Sequence, residues 1–209
     1  CYGCVYAAKK ADVRDLCPFC RTPHEMSEEE IVDRLKERGG GDDAVAIYNL
    51  GVVYQHGKYG LRQNMRKANK LYLRAGDLGY AMGYNNIGYA YNNGEGVVMD
   101  TKKGKYYYEL AAMGGSVPAR YNLGLWERRA GNMDRAVKHF MIAAGAGYDD
   151  SLKQIREFFM SGHVTKDDFE KALRAHKEAK DEMKSKQREA YAAAMQEGRI
   201  HHFRHKLSE

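Results

Sequence analysis

The stretch Ala46-Ile47-Tyr48-Asn49-Leu50-Gly51 returns twice, as Gly83-Tyr84-Asn85-Asn86-Ile87-Gly88 and as Ala119-Arg120-Tyr121-Asn122-Leu123-Gly124. The copies lie 37 and 36 residues apart, and each reads small–x–x–Asn–aliphatic–Gly. A motif that recurs at such a period is the sequence signature of a repeat architecture. The period therefore predicts an array of similar structural units.

A second motif follows each copy and reads small–x3–aromatic–x2–small–x3–Gly. Its members are Ala68, Tyr72, Ala75 and Gly79, then Gly104, Tyr108, Ala111 and Gly115, then Ala136, Phe140, Ala143 and Gly147. The first three positions fall on one face of a helix. The last glycine lies where a helix ends and a positive φ is often required. Each unit is therefore predicted to be a pair of helices.

Short glycine-containing turns at 56–60, 93–97 and 130–132 join the two helices of each pair. One hairpin cannot bury both faces of its helices, so neighbouring units must stack. This predicts an all-α fold, a right-handed α/α superhelical solenoid. Its predicted units are 42–79, 80–115, 116–147 and a degraded fourth, 148–180, in which Arg156 replaces the motif glycine and leaves less room for close helix contact.

The flanking segments are predicted to be helical as well. Residues 27–38 open with Ser27 as N-cap and carry one apolar face (Ile31, Val32 and Leu35), and a triple glycine at 39–41 ends this linker. Residues 165–197 read as one long helix or two broken ones, capped by Thr165. We expect it to cap the repeats rather than to form a free coiled coil, since no sustained heptad appears. Residues 181–209 form a helical extension and a basic tail.

Within residues 43–148, and weakly to about 180, the chain resembles the Sel-one-like repeat (SLR), a relative of the tetratricopeptide repeat. The resemblance rests on Asn49-Leu50-Gly51, Asn122-Leu123-Gly124, the segment from Gly94 to Asp100, and the Ala111-Ala112-x-x-Gly115 ending. It implies a superhelix that holds other proteins together. It does not imply catalysis.

All four cysteines lie in the first twenty residues, as two C-x2-C pairs twelve residues apart: Cys1, Cys4, Cys17 and Cys20. Paired thiolates at this spacing suit tetrahedral zinc. A secreted disulfide protein would spread its cysteines through the fold. The pairs therefore predict Zn2+ in a small module, residues 1–26, and an intracellular protein, cytoplasmic or nuclear.

The cysteine pattern also resembles the C-terminal half of a RING-like finger. That resemblance implies that Cys1/Cys4 and Cys17/Cys20 belong to different zinc ions, each needing two further ligands upstream. A single four-cysteine site and a metal-free segment remain alternatives, as does His24 as a substitute ligand. Because the chain starts at Cys1 without an initiator methionine, we expect a fragment from which a targeting signal can be missing.

Several function classes are not supported by the sequence. It contains no P-loop, HExxH, GxSxG or dinucleotide-binding motif, so no catalysis is expected in residues 40–209. It has no apolar run of 18 residues and no signal peptide. The net charge is +6, but the 34 basic and 28 acidic residues are interleaved in most of the chain, so nucleic acid is the less favoured partner. The sequence does not determine the oligomeric state.

In such arrays the first helix of each unit lines the inner surface. The predicted partner-binding residues are the equivalent positions Tyr48, Asn85 and Tyr121, with Tyr54, Tyr91 and Trp126 nearby. Aromatic and amide groups suit an extended peptide or a partner helix. The alternative is that the recurring asparagines hydrogen-bond neighbouring repeats and that Tyr54 and Tyr91 are core. The predicted function is a non-catalytic protein-interaction scaffold; the alternative is a RING-type ubiquitin ligase whose repeats recruit substrate.

Overall fold

The computed structural model describes residues 26–183, which form nine helices and no strand. The predicted all-α repeat fold is confirmed. In chain order the helices are α1 (Glu28–Gly40), α2 (Ala44–His56), α3 (Met65–Asp77), α4 (Ala81–Asn93), α5 (Thr101–Met113), α6 (Val117–Arg129), α7 (Met133–Gly145), α8 (Asp149–Met160) and α9 (Lys166–Glu182).

Contacts divide the chain into two units. Residues 27–179 form one compact helical unit, described here. The other unit comprises residues 1–26 and 180–209, most of which lie outside the described residues, including all four cysteines and the predicted helix beyond residue 183. None of the helices within 26–183 is both long and apolar enough to cross a membrane.

Helix α1 begins as predicted but ends later. The Ser27 hydroxyl accepts from the Glu30 backbone N–H at 3.2 Å, and the Glu30 carboxylate accepts from the Ser27 N–H at 2.7 Å, a complete capping box. The helix continues through two of the three glycines to Gly40. Gly39 is buried, and a Cβ there would lie 3.2 Å from Ile47 Cγ1, so this glycine allows α2 to approach.

The following helices alternate in role. The first helix of each pair (α2, α4, α6 and α8) is here called the A helix, and the second (α3, α5, α7 and α9) the B helix. In the first three pairs the motif glycine of the A helix faces the aromatic ring of its B helix: a Cβ on Gly124 would lie 2.5 Å from the Phe140 ring. The same contact recurs between Gly51 and Tyr72 and between Gly88 and Tyr108.

The aliphatic motif residues form the core. Leu50, Ile87 and Leu123 are all buried within A helices, as the repeat hypothesis requires. The small residues of the second motif are buried too, which lets neighbouring helices approach closely. The glycines predicted at the ends of the B helices have φ of 90°, 84° and 81° at Gly79, Gly115 and Gly147, the left-handed backbone that glycine adopts readily.

The fourth pair keeps the pattern without the glycine. Ser151, Ile155 and Ala172 are buried, whereas Arg156 is exposed. The two helices meet instead through stacked rings of Phe159 and Phe169, whose centroids are 4.8 Å apart.

Candidate partner-binding face

Tyr48 lies at the joint between the first and second repeats. Its half-buried ring is 5.3 Å from that of Tyr72 and 5.0 Å from that of Tyr80, measured between centroids. Its hydroxyl accepts a hydrogen bond from Asn86 Nδ2 at 3.3 Å. Burial raises the pKa of this phenol, so Tyr48 is neutral at physiological pH.

A chain of amide hydrogen bonds continues from this joint across three A helices. Asn86 Oδ1 accepts from Asn85 Nδ2 at 3.3 Å, and Asn85 Oδ1 accepts from Asn122 Nδ2 at 3.0 Å. Asn85 is 7% exposed, so its amide relies on these side-chain hydrogen bonds instead of bonds to water. The chain of side chains Asn122–Asn85–Asn86–Tyr48 therefore fixes α6, α4 and α2 relative to one another. Asn49, in the first repeat, is exposed.

Tyr121 occupies the equivalent joint between the third and fourth units. Its half-buried ring lies 5.3 Å from that of Tyr148 and 5.8 Å from that of Phe140. Tyr48, Asn85 and Tyr121 thus all contact the following repeat, and their role in partner binding stays a prediction. Each connects its A helix to the next repeat.

Tyr54, Tyr91 and Trp126 are half-buried, and each has a lysine of a B helix over its ring. Lys67, Lys103 and Lys105 Nζ lie 5.0, 5.5 and 3.9 Å from the respective ring centroids. Tyr91 also stacks on Tyr107 at 5.6 Å, and Tyr107 stacks on Tyr84 at 6.0 Å. The Tyr84–Tyr107–Tyr91 stack therefore fills the joint between α4 and α5.

In the third repeat the motif alignment puts ionisable residues in place of that aromatic stack: Arg120, His139 and Glu127. Glu127 is 3% exposed, and its carboxylate accepts from Lys105 Nζ at 2.9 Å and from Asn132 Nδ2 at 2.7 Å. Burial acts to raise the pKa of Glu127, but the hydrogen bonds from Lys105 and Asn132 outweigh it and leave the pKa below its usual value. Glu127 is therefore a buried, charged group.

His139 lies in the same cluster. Its Nδ1 is buried and has no hydrogen-bond partner. Burial, and then the positive charge of Arg120, lower the pKa of its imidazole, so the neutral form is favoured at pH 7. Within residues 26–183 no group of three or more His, Cys, Asp or Glu side chains is placed to hold a metal ion.

Residues not predicted from the sequence lie beside the amide chain. Val52, Tyr89 and Leu125 each follow a motif asparagine by three residues, and side chains at i and i+3 are neighbours on a helix surface. Tyr89 is 46% exposed, and Val52 and Leu125 are half-buried. We call this surface the A face: Asn49, Asn86 and Asn122 with Val52, Tyr89 and Leu125. The fixed offset from the asparagine was the signal available in the sequence.

Comparison with known proteins agrees with this fold. The Sel1 repeat family matches residues 44–80 and 81–116, which are the first two helix pairs. The ERAD-associated E3 ubiquitin-protein ligase component HRD3B of Arabidopsis thaliana is 29% identical over 111 residues, covering 53% of this chain and 17% of its own length. The chain thus spans about one sixth of that relative.

Two solved structures share the fold. A Sel1 repeat protein from Oxalobacter formigenes superposes with a TM-score of 0.64 at 24% identity, over 74% of this chain and 64% of its own. The protective antigen c5321 of uropathogenic Escherichia coli, which displays an SLR fold, gives 0.60 at 26% identity, over 80% and 36% of the two chains. The helix pairs of residues 26–183 therefore have the SLR arrangement.

Proposed function

From the Sel1 repeats at residues 44–116 we propose that this protein is a non-catalytic scaffold that binds a segment of a partner protein along the A face. Proteins with this repeat act as protein-interaction scaffolds, and no catalytic constellation is found within residues 26–183. The partner is a peptide or protein rather than a nucleic acid.

The observation that carries the proposal is the repetition of one polar and one apolar group at the same place on three successive A helices. The internal chain uses one N–H of Asn86 and one of Asn122, so each amide keeps a second N–H and a lone pair that can pair with peptide backbone. Val52, Tyr89 and Leu125 offer apolar contacts beside them. The Asn122–Asn85–Asn86–Tyr48 chain holds these helices in fixed positions before any partner arrives. A surface organised in advance loses less entropy on binding.

Site-specific photocrosslinking in cells tests the proposal with a matched pair of tyrosines. A photoreactive phenylalanine is placed at Tyr89, on the A face, or at Tyr106, on a B helix; the two side chains are 46% and 55% exposed. We expect a discrete protein adduct from position 89 and none from position 106. Equal adducts at both positions, or adducts at 106 alone, would place the binding surface elsewhere.

The second candidate function is a RING-type ubiquitin ligase, and one observation favours it: a relative is named as an ERAD-associated E3 ubiquitin-protein ligase component. We propose that Cys1, Cys4, Cys17 and Cys20 bind Zn2+ structurally, with the remaining ligands upstream, because four thiolates in two C-x2-C pairs match the donor set that zinc takes. The finger would dock a ubiquitin-conjugating enzyme, and the repeats would supply substrate.

Zinc content and ubiquitin transfer, measured on a chain extended upstream of Cys1, separate the candidates. Two zinc ions per chain with transfer that is lost in Cys17→Ser/Cys20→Ser support the ligase. If zinc binds but no ubiquitin is transferred, only the scaffold function remains supported. We further propose that these cysteines are reduced, at an intracellular site, cytoplasmic or nuclear. Thiol alkylation after zinc chelation checks this: cysteines that react only once a reductant is added would contradict it.

A further inference from the structure

A segment within the first repeat, residues 44–76, carries positive charge only, and Asp42, Asp43 and Asp77 lie just outside it. Residues 44–76 contain Lys58, Arg62, Arg66, Lys67, Lys70 and Arg74 and no Asp or Glu. Six of the chain's 34 basic residues and none of its 28 acidic ones lie there, so the remainder carries 28 of each. The net charge of +6 therefore equals the charge of this one segment.

Helix α3 turns most of these cations to one side. Its buried residues include Ala68, Tyr72 and Ala75. Its exposed positions are Arg66, Lys67, Lys70, Arg74 and Asp77, which fall within one arc of about 100° on a helical wheel. Arg62, exposed in the preceding turn, lies four residues before Arg66. We call Arg62, Arg66, Lys67 and Lys70 the basic face; Arg74 extends it.

The cations of the basic face have no carboxylate partner within residues 26–183. Arg74 pairs with Asp42 at 2.6 Å, but no other residue of the described range forms an ion pair with Arg62, Arg66, Lys67 or Lys70. Elsewhere surface lysines do find partners, as Lys36 does with Asp33 at 2.9 Å and Lys153 with Asp150 at 2.8 Å. Among the described residues the positive charge of the basic face is therefore not compensated, and such a face attracts and orients an anionic partner.

We propose that the basic face binds an acidic segment of a partner protein. Cations four residues apart on a helix rise by about 6 Å. Carboxylates on alternate residues of an extended chain recur at about 6.5 Å, so an acidic strand can meet the cations in register. The fit is one of charge and spacing, and it does not use the A face.

The two flanking segments of this sequence do not have the composition of an acidic partner. Residues 1–25 contain four basic and three acidic residues, and residues 184–209 contain six basic and three acidic. Both are net positive and are repelled by the basic face. Neither residues 1–25 nor residues 184–209 therefore match the proposed acidic segment.

Aromatic geometry favours a polypeptide over a nucleic acid. Single-stranded nucleic acids are held by cations together with exposed rings on which bases stack. Helix α3 exposes no ring: Tyr72 is buried, and the nearby Tyr54 lies beneath Lys67. Carboxylates need only the cations.

Binding of fluorescent probes to the full chain tests the proposal. The probes are a peptide of six glutamates alternating with serines, its glutamine counterpart, and a twelve-nucleotide RNA. The test variant is Arg62→Glu/Arg66→Glu/Lys70→Glu. The matched control is Lys138→Glu/Arg156→Glu/Lys177→Glu. It reverses three exposed cations, on α7, α8 and α9, that likewise have no ion pair with any residue of 26–183.

We expect the glutamate peptide to bind, with a dissociation constant raised about tenfold or more by the test variant and less than threefold by the control. Affinity should fall with added salt, and the glutamine peptide should not bind. If the test variant loses its helical circular dichroism, Arg62→Gln/Arg66→Gln/Lys70→Gln replaces it, with a loss of about threefold.

Three results would overturn the proposal. In the first, both triple variants weaken the peptide equally. In the second, RNA binds more tightly than the peptide with the same variant dependence. In the third, sedimentation shows that the basic face mediates self-association. None of these results changes the photocrosslinking expected at Tyr89. The basic face and the A face can therefore be refuted independently of each other.

Discussion

Gly83→Ala tests whether the contact between α3 and α4 is as close as the structure has it. A Cβ on Gly83 would lie 2.3 Å from the carbonyl oxygen of Tyr72 and 2.6 Å from the backbone nitrogen of Gly76. Both atoms belong to the helical backbone, so no side-chain rotation can relieve the contact. Helix α4 must move away from α3, or both must distort.

The size of the effect follows from two opposing terms. Overpacking in a closely packed interior lowers the free energy of unfolding by about 1–3 kcal/mol, and the upper end applies where backbone has to move. The higher helix propensity of alanine raises it by up to about 1 kcal/mol relative to glycine. The expected net destabilisation is about 2 kcal/mol, which for a helical unit of this size lowers Tm by about 4–8 °C.

The prediction opposes the one that the repeats suggest by themselves. The equivalent positions hold Ala46 and Ala119, so a consensus argument makes Gly83→Ala neutral or stabilising. Calorimetry and urea unfolding followed by circular dichroism decide between them. Gly40→Ala is the matched control, because a Cβ on that helical glycine has nothing within 4 Å, and its Tm should be unchanged or higher. A Gly83→Ala protein as stable as the unaltered chain would refute the close contact.

Three further predictions concern the joints between repeats. Glu127→Gln should cost about 1–3 kcal/mol at pH 7 by weakening the bonds from Lys105 and Asn132. Because the folded pKa of Glu127 is lowered, this difference in unfolding free energy should be present above about pH 4.5 and disappear as pH falls further; a constant difference in urea titrations at pH 7 and pH 4 would contradict it. The pKa of His139 is lowered in the folded protein, so its imidazole binds a proton more readily in the unfolded chain. The free energy of unfolding should therefore fall below about pH 6.5, and His139→Gln should remove about 1 kcal/mol of that loss between pH 7.5 and pH 5. Identical pH profiles of the two proteins would rule this out. Asn85→Ala should cost about 1–2 kcal/mol, and a double-mutant cycle with Asn122→Ala should show coupling; strictly additive losses would mean that the two amides act independently.

The fold could be predicted because its determinants repeat. Leu50, Ile87 and Leu123 recur at one period and are buried at one period, and the glycines at the ends of the B helices recur where φ is positive. Burial of these aliphatic residues and the positive φ of these glycines depend on contacts within a repeat or with a similar neighbouring repeat. They therefore recur along a single sequence and can be recognised there. The late end of α1 was not predicted, because the triple glycine indicates a helix end whereas burial of Gly39 against Ile47 depends on the neighbouring helix.

The candidate site was harder to predict for a related reason. Recurrence identified Tyr48, Asn85 and Tyr121, but a residue that joins repeats recurs just as one that lines a groove does. Asn85 is buried because Asn122 lies opposite it on α6, a fact of three-dimensional arrangement. Val52, Tyr89 and Leu125 differ in type and so do not stand out as a motif. The charge of α3 is visible in the sequence, whereas the lack of ion pairs at Arg66, Lys67 and Lys70 among the described residues is not.

The tyrosine stack of the second repeat and the charged cluster of the third fill equivalent spaces beside an A helix, but they respond differently to pH and salt. Stacked phenol rings, as in the second repeat, respond little to salt or to mild acid. The charged replacement in the third repeat contains a carboxylate, a lysine, an arginine and an unprotonated imidazole, and each of these changes its contribution with acidity or ionic strength. The protein therefore has one joint whose stability hardly depends on pH and ionic strength and one whose stability depends on both. If the array opens in mild acid, it will open first around α6 and α7.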